Sequence, residues 1–306
     1  MEELRVFCPA TIANISCGFD VLGVALDSVG DEMVIRKTPK KGIFITKLEG
    51  QDLPMETERN VAGVAGLALL NESDYDGGFE IEIYKNIKAG SGIGSSAASS
   101  TGAVWAMNQL LGKPFTTSKL VEFAMEGERL ASGVAHADNV APALFGGFTL
   151  VRSYEPLDII PINSPSELFA TVIHPQIEIK TSDSRKILKT HITLKEGIKQ
   201  WGNLGGLIAG LFTEDYDLIG RSLEDHIVEP IRSILIPGFN DVKKGALASG
   251  ALGCGISGSG PSIFAFSKGE ATAKKVALSM KEVYEKIGID HDVHISKINT
   301  EGIKEI

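Results

Sequence analysis

The sequence has 306 residues, of which 43% are hydrophobic and 23% are charged, and its formal net charge is −9 at pH 7. This composition is typical of a folded chain long enough for two domains. The negative charge, without any block of basic residues, argues against nucleic-acid and anionic-membrane partners. An anionic ligand would therefore be held by local groups.

Three features bear on where the protein resides. Residues 1–5 lack the basic-then-apolar order of a signal peptide. The most apolar window, residues 61–70, is about half as long as a membrane span. The cysteines are odd in number and have no metal-ligand spacing: Cys8, Cys17 and Cys254. We therefore expect a reducing, cytoplasmic location.

The first half of the chain is predicted to contain both strands and helices. A short strand over residues 4–8 should end at Pro9, and residues 10–23 should form a loop. In that loop Asn14 and Asp20 make either Asx-type turns or contacts to a ligand. Further strands are predicted at residues 32–37, 43–48, 79–84 and 148–151, and helices at residues 61–70, 97–111 and 118–131. Asn60 is the predicted N-cap of the first helix.

The helix over residues 118–131 has an apolar stripe flanked by two carboxylates. The stripe consists of Leu120, Phe123, Ala124, Gly127 and Leu130. Glu126 and Glu128 lie on opposite sides of it at similar angles, so periodicity does not choose which of them faces the interior.

Proline and serine residues around positions 154–165 predict a domain boundary. It would separate an N-terminal domain over residues 1–155 from a C-terminal domain over residues 165–306. The second half is predicted to contain strands at 168–174, at 293–298 and on either side of 253–261, and helices at about 182–189, 193–234, 239–249 and 270–287. This order is typical of a two-layer α+β domain.

The stretch over residues 90–100 forms a predicted strand-loop-helix junction rich in glycine and serine. Its three alternating glycines permit backbone conformations closed to other residues, and a helix N-terminus favours an anion such as phosphate. No lysine follows as in a P-loop, and the glycine spacing does not match a dinucleotide fingerprint. The alternative interpretation is a serine-capped helix after a flexible turn.

The loop reads Gly-x-Gly-Ile-Gly-Ser-Ser-Ala-Ala, which resembles the phosphate-binding loop of the GHMP small-molecule kinases. Residues 9–23 and 253–261 are similar to the first and third motifs of that family, in the same order. The family's loops commonly open with a proline, where Lys88 and Ala89 stand here. The string at residues 136–142 resembles the branch that phosphorylates homoserine.

This resemblance implies an α+β fold of two domains, with an N-terminal domain like domain 2 of ribosomal protein S5 and a ferredoxin-like C-terminal domain. ATP is the implied co-substrate, with its phosphates in the loop of residues 88–100. The implied ATP-binding residues are Asn60, Lys88, Ala89, Gly90, Ser91, Gly92, Ile93, Gly94, Ser95, Ser96, Ala97 and Ala98. Mg²⁺ would neutralise the phosphate charge, and the resemblance selects Ser96 and Glu128 as its ligands.

The acceptor implied by the resemblance is L-homoserine, whose phosphorylation gives O-phospho-L-homoserine for threonine synthesis. Asp20 would bind its ammonium, Arg185 and Arg232 its carboxylate, and Asn139 its hydroxyl, with Asn14 in the same site. The implied catalytic residues are Asn139, Arg232, Glu128 and Ser96.

Some alternatives stay open. Asp138 stands where other family members have a catalytic base, although positioning of the hydroxyl by Asn139 is favoured. The acceptor is alternatively mevalonate or a sugar, or the protein is a non-catalytic sensor of nucleotide and metabolite. A homodimer is possible.

Overall fold

Two sheets contain all the named strands of this computed structural model, which describes residues 2–179 and 181–306, without the side chain of Ser182. The first sheet comprises β1 (Glu3–Ala13), β2 (Leu22–Thr38), β3 (Gly42–Glu49), β4 (Gly78–Tyr84), β5 (Phe148–Tyr154), β6 (Leu157–Ile162) and β11 (Lys304–Glu305). The second comprises β7 (Leu168–Pro175), β8 (Gly253–Ile256), β9 (Ile263–Lys268) and β10 (His291–Lys297). Its antiparallel order, β10-β7-β9-β8, is that of a ferredoxin-like domain, as expected.

Helices cover these sheets. Over the described residues they are α1 (Val61–Glu72), α2 (Ser95–Leu110), α3 (Thr117–Ser132), α4 (Val140–Phe145), α5 (Thr181–Lys186), α6 (Leu194–Thr213), α7 (Tyr216–Ser222), α8 (Glu229–Arg232), α9 (Phe239–Ala248) and α10 (Glu270–Ile287). The helices α1, α2 and α3 pack against one another, and α2 also packs against β1 and β2. The helices α9 and α10 pack together next to the second sheet. No helix among the described residues is long and apolar enough to span a bilayer.

One hydrophobic core runs through both domains. It extends from Leu4 in β1 to Ile303 near the C-terminus. The rings of Phe148 in β5 and Phe266 in β9 meet in this core with their centroids 5.8 Å apart. A smaller cluster that includes Tyr284 lies between α9, α10 and the second sheet. The shared core fixes the two domains against each other and so fixes the cleft between them.

Most predicted elements are confirmed, but the first strand is not. The helices predicted at 61–70, 97–111, 118–131, 239–249 and 270–287 match α1, α2, α3, α9 and α10 to within two residues. The strand β1, however, runs through Pro9 to Ala13, because the pairing with β2 shifts register between Pro9 and Thr11. A bulge of this kind tolerates a residue without an N–H donor. The strand predicted at 32–37 correspondingly begins at Leu22.

Three further predictions need correction. Leu130 is 43% exposed rather than part of the buried stripe of α3. The helical region predicted at 193–234 is divided into α6, α7 and α8, since Glu214 takes a left-handed conformation and Asp215 caps α7. Two strands are predicted to flank the third motif, residues 253–261. The first of them, β8, instead covers residues 253–256 and so lies inside the motif.

The chain crosses between the domains at more than one place. The strand β6 lies beyond residue 155, yet it pairs with β5 in the first sheet. The last strand, β11, returns from the C-terminal domain to pair with β1. The first sheet is therefore completed by two strands from outside residues 1–155.

Candidate active site

A cavity of about 560 Å³ lies where the three sequence motifs meet. The backbone N–H of Thr11 in the first motif donates to Ile93 in the second over 3.1 Å. The hydroxyl of Ser257 in the third motif donates to the carbonyl of Gly92 over 2.7 Å, and the N–H of Gly258 donates to Ala13 over 3.1 Å. Residues far apart in the sequence thus form one continuous wall.

Two glycines of the second motif are required by close approach as well as by backbone angle. Gly92 and Gly94 have φ angles of +83° and +72°, which other residues rarely adopt. A Cβ atom on Gly92 would lie 2.6 Å from the carbonyl oxygen of Gly260, and one on Gly94 would lie 2.0 Å from Oγ1 of Thr11. Side chains here would force the motifs apart.

The N-terminus of α2 differs from that of α1. The side chain of Asn60 accepts from Ala62 and Gly63 and so caps α1. The N-cap of α2 is Gly94, and among the described residues no side chain accepts from the first-turn N–H groups. The serine-capped alternative is therefore wrong. These N–H groups, together with the helix dipole, can bind an anion in the cavity, and we name this region the phosphate end.

Lys85 holds the phosphate end in place and was not singled out from the sequence. It follows β4 directly, is buried, and forms an ion pair with Asp31. Its ammonium also donates to the carbonyl of Ser95 over 2.9 Å and to Oγ of Ser99 over 3.1 Å. The only signal in the sequence was a lysine between an alternating strand and a glycine loop. The ion pair joins the end of β4 to β2, and the two hydrogen bonds join it to the start of α2.

Glu128 lies buried on α3 beside the first turn of α2. Desolvation raises its pKa to about 7, although a hydrogen bond from Ser96 opposes the rise. Its Oε1 atom has no partner among the described residues. The hydroxyl of Ser96 and the carboxylate of Glu128 are hard oxygen ligands of the kind that Mg²⁺ binds. Its other ligands would come from phosphate and water. The described residues contain no group of three acidic, His or Cys side chains able to hold a metal ion.

Another part of the cavity, which we name the acceptor end, is defined by Asn14, Asp20, Asn139, Arg185 and Arg232. Arg185 on α5 donates to both carboxylate oxygens of Asp20, over 3.0 Å and 2.6 Å. Asn14 accepts from the N–H of Asp20 over 3.0 Å. Asn14 and Asp20 have φ angles of +70° and +60°, so the loop between β1 and β2 is held in a costly conformation.

Arg232 is buried and has no carboxylate within ion-pair distance among the described residues. Its guanidinium donates to the carbonyls of Ser184 and Gly258 over 3.1 Å and 3.2 Å. Burial, with Arg185 nearby, lowers its pKa to about 10, so it still carries a charge at neutral pH. The ring of Phe19, a residue not predicted for the site, lies 5.0 Å from Arg232 and 5.3 Å from Arg185.

The turn before α8 fixes the position of Arg232. The carboxylate of Asp225 accepts from the N–H groups of Ile227, Val228 and Glu229 over 2.8 to 3.0 Å. It also accepts from the side chain of Gln200 on α6 over 2.9 Å. This network was not predicted, because its signal, an aspartate before a four-residue helix, is common in sequences.

Asn139 lies just before α4, with its Oδ1 accepting from Oγ1 of Thr11 over 2.8 Å. The neighbouring Asp138 is buried, and desolvation raises its pKa to about 7. The hydroxyl of Tyr154 accepts from the N–H of Ala137 over 3.3 Å and donates to the carbonyl of Asp20 over 3.1 Å. Thr11 and Tyr154, neither of them predicted, therefore fix the two loops of the acceptor end relative to each other.

Most of the predicted site residues line the cavity. Those that do are Asn14, Asp20, Ala89, Gly90, Gly92, Gly94, Ser95, Ser96, Glu128, Asn139, Arg185 and Arg232. Those that do not are Asn60, Lys88, Ser91, Ile93, Ala97 and Ala98. Asn60 uses its amide oxygen to cap α1 and its amide N–H to bind Pro54. Lys88 is exposed and donates to Gln176 over 2.5 Å.

Comparison with known proteins gives consistent results. The GHMP kinases N terminal domain family matches residues 59–147, and the GHMP kinases C terminal family matches residues 207–286. A homoserine kinase of Chloroherpeton thalassium is 46% identical, with 99% of each chain covered. A homoserine kinase of Chlorobaculum tepidum is 45% identical, with 100% of this chain and 99% of the relative covered.

Solved structures agree with these sequence relatives. The homoserine kinase from Cytophaga hutchinsonii is 53% identical and superposes with a TM-score of 0.96, covering 100% of this chain and 98% of its own. A mevalonate kinase structure has a TM-score of 0.70 at 14% identity, which shows a common fold alone. The chain belongs to the GHMP kinases and, within them, to the homoserine kinase family.

Proposed function

We propose that this chain transfers the γ-phosphate of ATP to the hydroxyl of L-homoserine, forming ADP and O-phospho-L-homoserine for threonine synthesis. The full-length relatives carry the name of that activity. The observation that carries the assignment is the acceptor end, where one carboxylate and two guanidiniums lie within the same cavity as an uncapped helix N-terminus.

The charges of the acceptor end complement an amino acid. Asp20 would receive the ammonium of homoserine. Arg232, whose buried guanidinium lacks a carboxylate partner among the described residues, would receive the carboxylate together with Arg185. Substrate binding would then replace the Asp20–Arg185 ion pair by two pairs with the ligand. Mevalonate and sugars have no ammonium group, so they could not replace Arg185 as the partner of Asp20. This disfavours them as acceptors.

The phosphate end would hold the triphosphate. The first-turn N–H groups of α2 can donate to its oxygens, and Gly90, Gly92 and Gly94 let the backbone approach closely. Ser96 and Glu128 would hold Mg²⁺, which when bound supplies positive charge against the phosphates. Lys85 keeps the first turn of α2 in place through Ser95.

Asn139 would orient the acceptor hydroxyl toward the γ-phosphorus. The hydroxyl oxygen of the acceptor forms the new bond to the γ-phosphorus, and the bond from that phosphorus to the bridging oxygen of ADP breaks. The hydroxyl proton passes to an oxygen of the transferred phosphoryl group. A loose transition state requires little of a base, so positioning is sufficient. Asp138, buried with a pKa near 7, is the residue to test as a base. A loss of the acid limb in the pH–rate profile of Asp138→Asn would assign it that role.

We place the reaction in the cytoplasm on the ground that all three cysteines are free and buried.

The deciding experiment is ADP release with Mg-ATP against L-homoserine, D-homoserine, L-serine, mevalonate and galactose. Turnover should be confined to L-homoserine. In Arg232→Lys, kcat/KM for L-homoserine should fall about 100-fold, since lysine cannot reproduce the bidentate contact, while KM for ATP stays unchanged. Arg152→Lys, at an exposed arginine paired with Asp158, is the matched control and should behave as wild type.

Other outcomes would change the assignment in defined ways. Turnover with mevalonate or galactose would keep the family and discard the acceptor. Nucleotide binding without turnover on any acceptor would favour a sensor.

A further inference from the structure

The turn over residues 88–91, which opens the glycine loop, has little packing to hold it. Its first three residues are exposed. The N–H of Ser91 donates to the carbonyl of Lys88 over 3.2 Å, and Gly90 has a φ angle of +75°, as in a type II turn. A Cβ atom built on Gly90 would have no atom within 4 Å. Yet Ala89 and Gly90 line the cavity, so the shape of this turn determines part of the cavity wall.

The side chain of Gln51 supplies contacts that packing does not. Its Nε2 donates to the carbonyl of Ile87 over 2.5 Å, and its Oε1 accepts from the N–H of Ala89 over 2.6 Å. The amide therefore spans Lys88 and bonds to the backbone on both sides of it. Because one partner is an acceptor and the other a donor, only one orientation of the amide satisfies both. Gln51 itself does not line the cavity.

A close backbone approach places Gln51 beside the turn. The strand β3 ends at Glu49, whose carbonyl accepts from the N–H of Lys85 over 2.9 Å. The next residue, Gly50, has a φ angle of +92°, and a Cβ atom on it would lie 2.2 Å from the carbonyl oxygen of Lys85. A side chain at Gly50 would push the two segments apart. Gly50 thus brings Gln51 within reach of the turn. Neither residue was singled out from the sequence.

The other partner of Gln51, Ile87, is fixed from two further sides. Its side chain is buried. Its N–H donates to Asp31 over 2.8 Å, and its carbonyl also accepts from the hydroxyl of Ser95, at the start of α2, over 3.0 Å. The amide of Gln51 therefore joins a fixed point of the protein to the exposed turn.

We infer that Gln51 is a positioning residue for the nucleotide, because its amide holds the 88–91 turn in the shape that accommodates ATP. This inference rests on the proposed binding of ATP in the cavity. Without the two hydrogen bonds the turn would sample other conformations, since glycine at its third position leaves the backbone free. The apparent affinity of a ligand falls with the fraction of molecules in the binding conformation. Both bonds of Gln51 are to the glycine loop, so the acceptor end should be unaffected.

Calorimetric titration with Mg-ATP, without an acceptor, tests this role. Gln51→Ala should weaken binding about 10-fold. Gln109→Ala is the matched control and should bind as wild type does. Gln109 is also half-buried, lies at the other end of α2 and does not line the cavity. In ADP-release assays Gln51→Ala should raise KM for ATP by the same factor and leave KM for L-homoserine unchanged.

Two results of the titration would be decisive against the proposals. Equal Mg-ATP affinities of Gln51→Ala and wild type would overturn the role of Gln51 and leave the proposed function intact. A wild type that binds no Mg-ATP would overturn the proposed function, and the role of Gln51 with it.

Rescue by proline separates positioning from a general loss of stability. Proline is favoured at the second position of a type II turn, where it fixes φ near −65°, and it has no N–H that needs a partner. In Gln51→Ala/Ala89→Pro the ring would occupy the space left by the glutamine amide, because Oε1 of Gln51 lies 2.6 Å from the nitrogen of Ala89. This double variant should recover Mg-ATP affinity to within about threefold of wild type. A double variant that binds no more tightly than Gln51→Ala would contradict the inference.

Hydrogen exchange followed by mass spectrometry measures the turn directly. In the free protein the amides of residues 88–91 should exchange at least about 10-fold faster in Gln51→Ala than in wild type. Those of Gln109→Ala should exchange as in wild type. Saturating Mg-ATP should remove the difference. Unchanged exchange of the turn in Gln51→Ala would show that Gln51 does not hold it.

Discussion

The two ends of the cavity are built in different ways. The phosphate end consists mainly of backbone from one short stretch. Within the described part of the chain, no side chain caps the first-turn N–H groups of α2, and Oε1 of Glu128 has no hydrogen-bond partner. The acceptor end collects side chains from widely separated segments. Its oppositely charged groups, Asp20 and Arg185, already pair with each other.

The two ends therefore differ in what a ligand must do when it binds: it satisfies an unpaired group at the phosphate end and breaks an existing ion pair at the acceptor end. At the phosphate end a buried carboxylate remains unsatisfied, so the free protein bears a cost that a cation relieves. At the acceptor end the ion pair lowers that cost, but the ligand must break it. We therefore expect changes at the phosphate end to lower kcat, and changes at the acceptor end to raise KM for the acceptor.

The largest expected effect is at Glu128. Glu128→Gln should lower kcat about 10³-fold, because the amide cannot supply the negative charge that holds Mg²⁺ against the phosphates. Glu126→Gln is a matched control on the same helix, since the side chain of Glu126 is 43% exposed and, among the described residues, its ion pair is with Arg129. It should stay within twofold of wild type. Steady-state ADP release at saturating Mg²⁺ measures both. If Glu128→Gln retained a tenth of wild-type kcat, Glu128 would not be the metal ligand.

The same substitution should stabilise the free protein at high pH. Burial raises the pKa of Glu128 from 4.5 to about 7, so the folded state binds the proton more tightly than the unfolded state. The stability that this proton provides is complete below pH 4.5 and is lost as the pH rises to 7. Glutamine mimics the protonated form at every pH.

Thermal unfolding without ligands should show this as a pH-dependent difference. Wild type and Glu128→Gln should have similar Tm values near pH 4.5, whereas at pH 8 the variant should be more stable by on the order of 3 kcal/mol. Glu126→Gln should follow wild type throughout. Identical pH profiles for wild type and Glu128→Gln would mean that Glu128 is not buried as an unpaired acid.

Sequence alone predicts the phosphate end better than the acceptor end for a physical reason. Its groups are consecutive in the chain, so Gly90, Gly92 and Gly94 before a helix indicate anion binding without knowledge of the fold. The choice of Glu128 over Glu126 required the resemblance, because helical periodicity placed both at equal angles from the stripe. Burial of Glu128 in the structure distinguishes them.

Side chains that act through tertiary contacts could not be predicted. Lys85 is buried because Asp31 from another strand pairs with it, and Thr11 reaches Asn139 across 128 positions of sequence. Local patterns also misplaced the end of β1, since a proline usually ends a strand and the bulge beside Pro9 depends on the register with β2. Neighbouring strands, rather than local sequence, determine these features.

At the acceptor end, Asp20→Asn should raise KM for L-homoserine about 30-fold while leaving kcat and KM for ATP nearly unchanged. The substitution removes the charge that would bind the ammonium, although the freed Arg185 can still bind the carboxylate. Asp27→Asn, at an exposed aspartate paired with Lys304, is the control. A fall in kcat of similar size with unchanged KM would show that Asp20 acts on the transition state and would remove the contrast between the two ends.

The smallest effect should come from Asn60, which caps α1 beside the phosphate end. Asn60→Ala should destabilise the protein by about 1 kcal/mol, the usual cost of a lost cap. KM for ATP should not change, because Asn60 does not line the cavity and both ends of its amide are already bonded. Asn60→Asp keeps the accepting oxygen and should recover most of the stability in urea unfolding. A rise in KM for ATP in both variants, with stability lost only in Asn60→Ala, would instead make Asn60 a nucleotide contact and extend the phosphate end to α1.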